Sequence, residues 1–332
     1  MTIISFFYSI MIMELMYMQR VVVLGGGHGL SVLLKGLKLF PVDITAVVAV
    51  SDDGSSTGKL RKEFNIPAVG DLRNVVISLS ESEPLFEKLF QYRFKGTSDL
   101  AGHPVGNLLL AALTDINGSL TEAVASFSEI LNLKGKVLPL TEDAVTLVAH
   151  TKQGEVLEGE EYIRKCGKEI DYVEYKEKPN VLDDVVDEIK SADLIILGLG
   201  SLVTSVIPNL ICPEVIEAIK ESEARVLYVC NAMTEHGETD NFKVSDHVKF
   251  LSKYLGDGVI NAVLANSKHI DIDIQERYKE LEQSEPVIID DKEIKKLKVE
   301  LIKEDLIVIQ DQMVRHDPVK TAFTIFSYLL KE

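Results

Sequence analysis

Apolar positions along the chain fall into two alternating rhythms. Short, nearly continuous, β-branched runs, RVVVL (20–24), ITAVVAV (44–50), LIILGLG (194–200), RVLYVCN (225–231) and GVINAVLAN (258–266), read as buried strands. Between them, SVLLKGLKLF, PEVIEAIKES and VSDHVKFLSKYL repeat their apolar residues at helical spacing. Residues 59–135 depart from the alternation and predict a mainly helical stretch: DLRNVVISLS, PLFEKLFQYRF, VGNLLLAALTDI and LTEAVASFSEILNL. AVTLVAHT (144–151) predicts a strand, TKQGEVLEGEEYIRKC a hairpin or excursion, and the second half of EYKEKPNVLDDVVDEIKSAD a surface helix. Residues 267–303 are polar and predict irregular structure. LIVIQ (306–310) predicts a last strand, and PVKTAFTIFSYLLKE a closing helix capped by Asp317 and opened by Pro318.

Strands that are apolar along their whole length and alternate with helices belong to a mostly parallel sheet covered on both faces. The predicted fold class is therefore α/β: a three-layer, Rossmann-like sheet with a helical insertion over about residues 59–135. No linker divides residues 20–332, which predicts one domain. The apolar start, MTIISFFYSIMIMELMYM, lacks a basic leading region and a small-residue cleavage site, and Glu14 interrupts it. Residues 1–19 read as an extension, either an over-long start or a loosely attached helix. The run is short for a membrane span, so none is expected.

Composition narrows the partners. Lys and Arg number 35 against 52 Asp and Glu, a formal net charge of -17. Such a surface repels phosphate backbones, which argues against nucleic acid. An anionic ligand would need a local site of backbone amides and a few cations. The three widely spaced cysteines, Cys166, Cys212 and Cys230, read as reduced core residues of a cytoplasmic protein.

In open α/β sheets, ligands sit beyond the carboxyl ends of the strands. The segments after five predicted strands are GGGHGLS, SDDGSSTGKLR, GLGSLVTS, NAMTEHGETDN and DQMVRHDPVK. Their glycines, hydroxyls, carboxylates and Arg315 converging on one edge would make a single polar-ligand site. GGGHGLS misses the G-x-G-x-x-G spacing, since the sixth position is Leu30 counted from Gly25 and Val32 counted from Gly27. It also lacks a following GK[ST]. Glycines at a helix start still let a phosphate approach free N–H groups, although a tight turn without ligand would look the same. Asp52 and Asp53 would hold Mg²⁺, orient sugar hydroxyls or act as a base; a helix cap and Asx-turn is the alternative. Gly200, Ser201, Thr204 and Ser205 form a second phosphate-cradle candidate, and Arg315 an anion ligand. In HIDIDI, His269, Asp271 and Asp273 read as one face of a solvated edge strand, with a metal site as the alternative. No Ser-His-Asp or HExxH pattern is present.

Taken in order, GGGHGLS, SDDGSSTGKLR, GDLRN, GHPVGNLLLAAL, GLGSLVTSVIPNL, GETDNF and VRHDPVK resemble the 2-phospho-L-lactate transferase-like (CofD-like) superfamily, and most closely its gluconeogenesis-factor (YvcK-like) branch. The resemblance spans about residues 20–330. It implies a CofD-like fold and a cytoplasmic protein that binds UDP-sugars such as UDP-N-acetylglucosamine or UDP-glucose and supports cell shape during gluconeogenic growth. The transferase branch implies transfer of a phospholactyl group from a guanosine diphosphate donor, with Mg²⁺. Carried over, Gly26, Gly27, His28, Gly29 and Leu30 would meet the nucleotide, Gly200 and Ser201 the phosphates, with Asn231 and Arg315 nearby. Asp52, Asp53 and Asn107 would line the acceptor or metal side. The chain departs from the family pattern at His28 (usually Thr), Leu199 (Pro), Val203 (Tyr) and Glu235–His236 (Gln-Pro).

Two functions compete: a nucleotide-sugar-binding regulator without turnover, and a Mg²⁺-dependent transferase that uses a nucleotide-activated donor, with Asp52 and Asp53 as its catalytic or metal-binding acids. The failed glycine spacing weighs against a dinucleotide oxidoreductase. A homo-oligomer is a candidate assembly.

Overall fold

The computed structural model describes residues 18–331; the apolar segment 1–17 lies outside them. The elements run β1 (Gln19–Gly25), α1 (Gly27–Leu37), β2 (Val42–Val48), α2 (Ser55–Phe64), α3 (Gly70–Leu79), α4 (Pro84–Gln91), α5 (Val105–Asn117), α6 (Leu120–Ile130) and β3 (Lys136–Pro139). A small excursion follows: β4 (Leu147–Thr151), β5 (Val156–Glu158), α7 (Glu160–Lys165) and β6 (Ile170–Tyr175). The alternation resumes with α8 (Asp183–Lys190), β7 (Leu194–Leu197), α9 (Leu202–Leu210, opening with a π turn), α10 (Pro213–Glu221), β8 (Arg225–Val229), α11 (Val244–Leu255) and β9 (Ala262–Asn266). The chain ends with α12 (Ile272–Glu282), α13 (Asp291–Lys296), β10 (Glu300–Glu304), β11 (Ile307–Gln310), β12 (Met313–His316) and α14 (Pro318–Leu329).

Seven strands form the main sheet in the order β10-β9-β8-β7-β1-β2-β3, and every pairing is parallel. The α/β architecture is thus the expected one. β7 is buried throughout and β1 along its last five residues, so helices cover both faces. From β1 the chain steps outward to β2 and β3, then returns to the other side of β1 with β7. The order therefore reverses between β1 and β7, and the loops after these two strands flank the switch point. α1 packs against α3 and α14 on the sheet.

The structure corrects several expectations. LIVIQ is no member of the main sheet; it pairs antiparallel with β12 as a separate hairpin. The edge strand is instead β10, ELIKE, inside the segment expected to be irregular. An edge strand half in solvent needs no apolar run, so its charged sequence concealed it. HIDIDI is no edge strand either. Asp271 precedes α12, and Ile272 and Asp273 begin it, so His269, Asp271 and Asp273 share no strand face. AVTLVAHT belongs to the three-stranded antiparallel sheet β5-β4-β6, whose member β6, IDYVEY, mixes charged and apolar residues and so carries no continuous apolar run. Among the described residues no single helix is long and apolar enough to cross a membrane.

Candidate functional site

A cavity of about 800 Å³ opens at the switch point, walled by all five loops singled out above. Gly27, His28 and Gly29 come from the start of α1. Asp52, Gly54, Ser55 and Ser56 follow β2, Gly200 and Ser201 follow β7, Asn231 to His236 follow β8, and Arg315 and His316 end β12. The hairpin reaches the cavity because α12 braces it. The Val314 N–H donates to the Tyr278 hydroxyl at 2.8 Å, and Arg277 Nη1 to the Gln312 carbonyl at 2.6 Å.

The two glycine loops touch. A Cβ on Gly29 would lie 2.6 Å from the Gly200 nitrogen and 2.7 Å from the Leu199 carbonyl carbon, so only glycine lets them close. Gly200 itself has φ 140, and a Cβ there would meet the Gly26 carbonyl oxygen at 2.8 Å. The start of α1 thus lies directly against the start of the β7 loop. Leu30 departs from expectation: it is fully buried, and its side chain packs in the core rather than against a ligand. The core beneath the helix requires an apolar residue at that turn.

Asp52 and Asp53 separate. Asp52 accepts from the Gly54 N–H at 2.9 Å and faces the cavity beside the first residue of α3, where a Cβ on Gly70 would meet its Oδ2 at 2.7 Å. Asp53 turns away and accepts from the Glu161 N–H at 2.9 Å, at the start of α7. The Asx-turn and capping alternatives describe these bonds well. Among the described residues no group of three or more His, Cys, Asp or Glu side chains is arranged to hold a metal ion. Asn107 is buried on the cavity wall, where it accepts from Arg73 Nη1 at 3.0 Å and donates to Ser56 Oγ at 3.1 Å.

The structure adds groups that the motifs contained but did not single out. Asp71, from GDLRN, is half-buried on the cavity wall and accepts from the Gly27 N–H at the start of α1. Burial, then the neighbouring Asp52 charge, pushes its pKa from 3.8 up to about 7. Arg73, two residues further along α3, is buried. Burial lowers its pKa to about 10, and its Nε has no hydrogen-bond partner. Arg93 and Arg164 complete the wall with Arg315. Arg73, Arg93, Arg164 and Arg315 form no salt bridge with any carboxylate among the described residues. Burial, then the charges of these four arginines, lowers the pKa of His28, which lines the cavity. A sequence signal for Asp71 and Arg73 existed. They are charged residues inside an otherwise apolar helix, where burial without a function would be costly.

On the opposite wall, Glu238 accepts from the Ser201 hydroxyl and from the Val203 N–H at 3.3 Å, which holds the β7 loop. Burial and the nearby Glu238 charge raise the pKa of Glu235 to about 8. Asn231 donates its amide to the Gly200 carbonyl at 2.9 Å and to Glu235 Oε1 at 3.1 Å.

Fold and crevice together define an α/β protein whose site lies where its parallel sheet reverses order. The chain belongs to the family described as 2-phospho-L-lactate transferase CofD, whose model matches residues 21–307. It is similar to the gluconeogenesis factor of Halalkalibacterium halodurans, 45% identical over 308 residues that cover 92% of this chain and 95% of that protein. The gluconeogenesis factor of Bacillus subtilis is also 45% identical, over 94% of this chain and 98% of its own length. A crystallographically solved protein from Bacillus halodurans superposes with a TM-score of 0.91 at 44% identity, covering 93% of this chain and 99% of that one.

Proposed function

We propose that the crevice binds a nucleoside diphosphate-linked sugar, UDP-N-acetylglucosamine or UDP-glucose, and that the protein acts as a cytoplasmic regulator serving cell shape during gluconeogenic growth. One observation carries the ligand class: four arginines without carboxylate partners surround two touching glycine loops in a chain of net charge -17. An acidic protein would pair those cations internally unless an anion is to take them. The loops supply helix-start N–H groups for the phosphates, and about 800 Å³ is ample for a nucleotide sugar. Preference for uridine rests on the relatives' branch of the family. Melting the protein with UDP-, GDP- and nicotinamide ligands tests the reading. A ligand at 100 times its Kd adds about 2.7 kcal/mol of stability. A response confined to nicotinamide dinucleotides, or to none of the three, overturns it.

A transferase is the second reading, and Asp71 favours it. A half-buried carboxyl whose pKa is pushed up to about 7, beside Asp52, can take and return a proton at neutral pH. Mg²⁺ would enter with the diphosphate, held from the protein side by Asp52 and its neighbour Asp71. Steady release of free nucleoside monophosphate from a diphosphate-activated donor, lost in Asp71→Asn, would establish turnover; none would leave binding as the function.

A further inference from the structure

Arg73 is held on the cavity wall by two uncharged side chains. Its Nη1 donates to Asn107 Oδ1 at 3.0 Å and its Nη2 to Asn74 Oδ1 at 2.7 Å, and all three residues are buried. A guanidinium only donates, so each amide turns its oxygen towards it. The nitrogen of Asn107 is then the end that donates to Ser56 Oγ at 3.1 Å, and Ser56 Oγ lies 2.9 Å from His103 Nδ1. This run of bonds locks the Asn107 amide, since a flip would set its nitrogen against the donors of Arg73. His103, Gly106 and Asn107 all come from GHPVGN, at the start of α5. A Cβ on Gly106 would stand 2.8 Å from Arg73 Cγ and 2.7 Å from a Phe90 ring carbon, so the helix start closes directly on the arginine stem. A buried cation is ordinarily paired with a carboxylate. Here Asp71 and Asp52 act on Arg73 from outside ion-pair range, and among the described residues it makes no salt bridge. Of the four cavity arginines, Arg73 acts most strongly on His28, so its charge is felt at the first glycine loop.

We propose that Asn74 and Asn107 are positioning residues, which fix the Arg73 guanidinium through neutral oxygens so that its charge stays available to the phosphates of the bound nucleotide. This rests on the diphosphate lying against the glycine loops, as in the function proposed above. Asn107 then serves the ligand through Arg73 and not by touching it. Aspartate has nearly the shape of asparagine and offers the same oxygen, but it would cancel the cation. Two neutral amides satisfy one hydrogen on each Nη nitrogen and leave the charge uncancelled, and a charge kept in a low-dielectric wall acts strongly on an incoming phosphate.

The test is titration calorimetry of the whole chain with UDP, GDP and inorganic pyrophosphate, alongside thermal melting, on the unaltered protein and on Asn107→Asp, Asn74→Asp and Asn107→Leu. The expected result is that each aspartate variant binds pyrophosphate, and whichever nucleotide the unaltered protein prefers, at least tenfold more weakly. Its melting should fall less than that of Asn107→Leu, which loses the oxygen and leaves Arg73 short of a partner. A merely structural role needs only an acceptor at these places. It predicts that the aspartate variants bind like the unaltered protein while Asn107→Leu alone suffers, and that result overturns the proposal and leaves the nucleotide reading standing. The two aspartate variants put the same question at separate positions, so a failure of one to fold leaves the other to decide. No binding of UDP, GDP or pyrophosphate by the unaltered protein removes both this proposal and the reading beneath it.

Discussion

A methyl group on Gly29 should damage stability and ligand affinity together, whereas the same change at Gly36 should damage stability alone. Both glycines lie in α1, where alanine in place of glycine ordinarily favours the helix by up to about 1 kcal/mol. Tertiary contacts reverse the sign. At Gly29 the new carbon would stand 2.6 Å from the Gly200 nitrogen, and ordinary contact requires the β7 loop to retreat by about 1 Å. At Gly36 it would stand 1.9 Å from the Pro318 carbonyl oxygen, at the start of α14. Overpacking of this kind costs about 1–3 kcal/mol, a melting drop of roughly 1–4 °C for a chain of this size, and more where backbone meets backbone. Only the first clash lies at the crevice. Gly29→Ala should therefore weaken UDP-N-acetylglucosamine binding by at least about tenfold, roughly 1.4 kcal/mol. Gly36→Ala, at the other end of the helix, should bind the same ligand within about twofold wherever it remains folded. Calorimetric titration and thermal melting of both variants form the assay. Gly29→Ala melting and binding like the unaltered protein would show that the loops do not meet as described. An equal affinity loss in Gly36→Ala would show that the effect travels through the helix and not through the cradle.

Other outcomes follow from the same geometry. Asp71 holds a proton in the folded protein up to about pH 7 that the unfolded chain releases near 3.8, so its contribution to stability falls as pH rises through that window. Asp71→Asn should gain on the unaltered protein between pH 4.5 and 8, by about 4 kcal/mol at most, and a difference in melting that ignores pH would contradict this. Arg315 is exposed on β12 and makes no ion pair among the described residues, so Arg315→Ala should leave melting within about 0.5 kcal/mol yet cost about 2 kcal/mol of nucleotide affinity. Lysine there should restore part of the loss, and an unchanged Kd in the alanine variant would return Arg315 to the surface. Asp53→Ala removes the acceptor for the Glu161 N–H and should cost about 1 kcal/mol of stability with affinity unmoved, as melting and titration would show. A collapse of affinity would mean that Asp53 serves the ligand after all.

What the sequence by itself determined is the part of the molecule governed by local chemistry. A strand buried on both faces of a parallel sheet must be apolar at every position, so RVVVL and LIILGLG announced themselves, and their glycine endings marked the switch point. Asp317 before Pro318 announced the last helix through its own cap, accepting from the N–H groups of Val319 and Lys320. Edge elements carry no such signature. ELIKE needs only one partner strand and water, and Ile272 to Glu282 is helical on a largely solvated surface, so periodicity was weak in both. The crevice was legible as a set of loops but not as a set of contacts. Gly29 needs to be glycine because Gly200, far along the chain, lies against it, and Asp53 leaves the site because the start of α7 takes it. Arg73, Arg93, Arg164 and Arg315 come from a helix, a loop, a side excursion and a hairpin. Only the tertiary structure shows that they face one cavity and that, among the described residues, none of them is in a salt bridge. Charge balance in a protein is settled by distance and burial, and neither is a property of the linear chain.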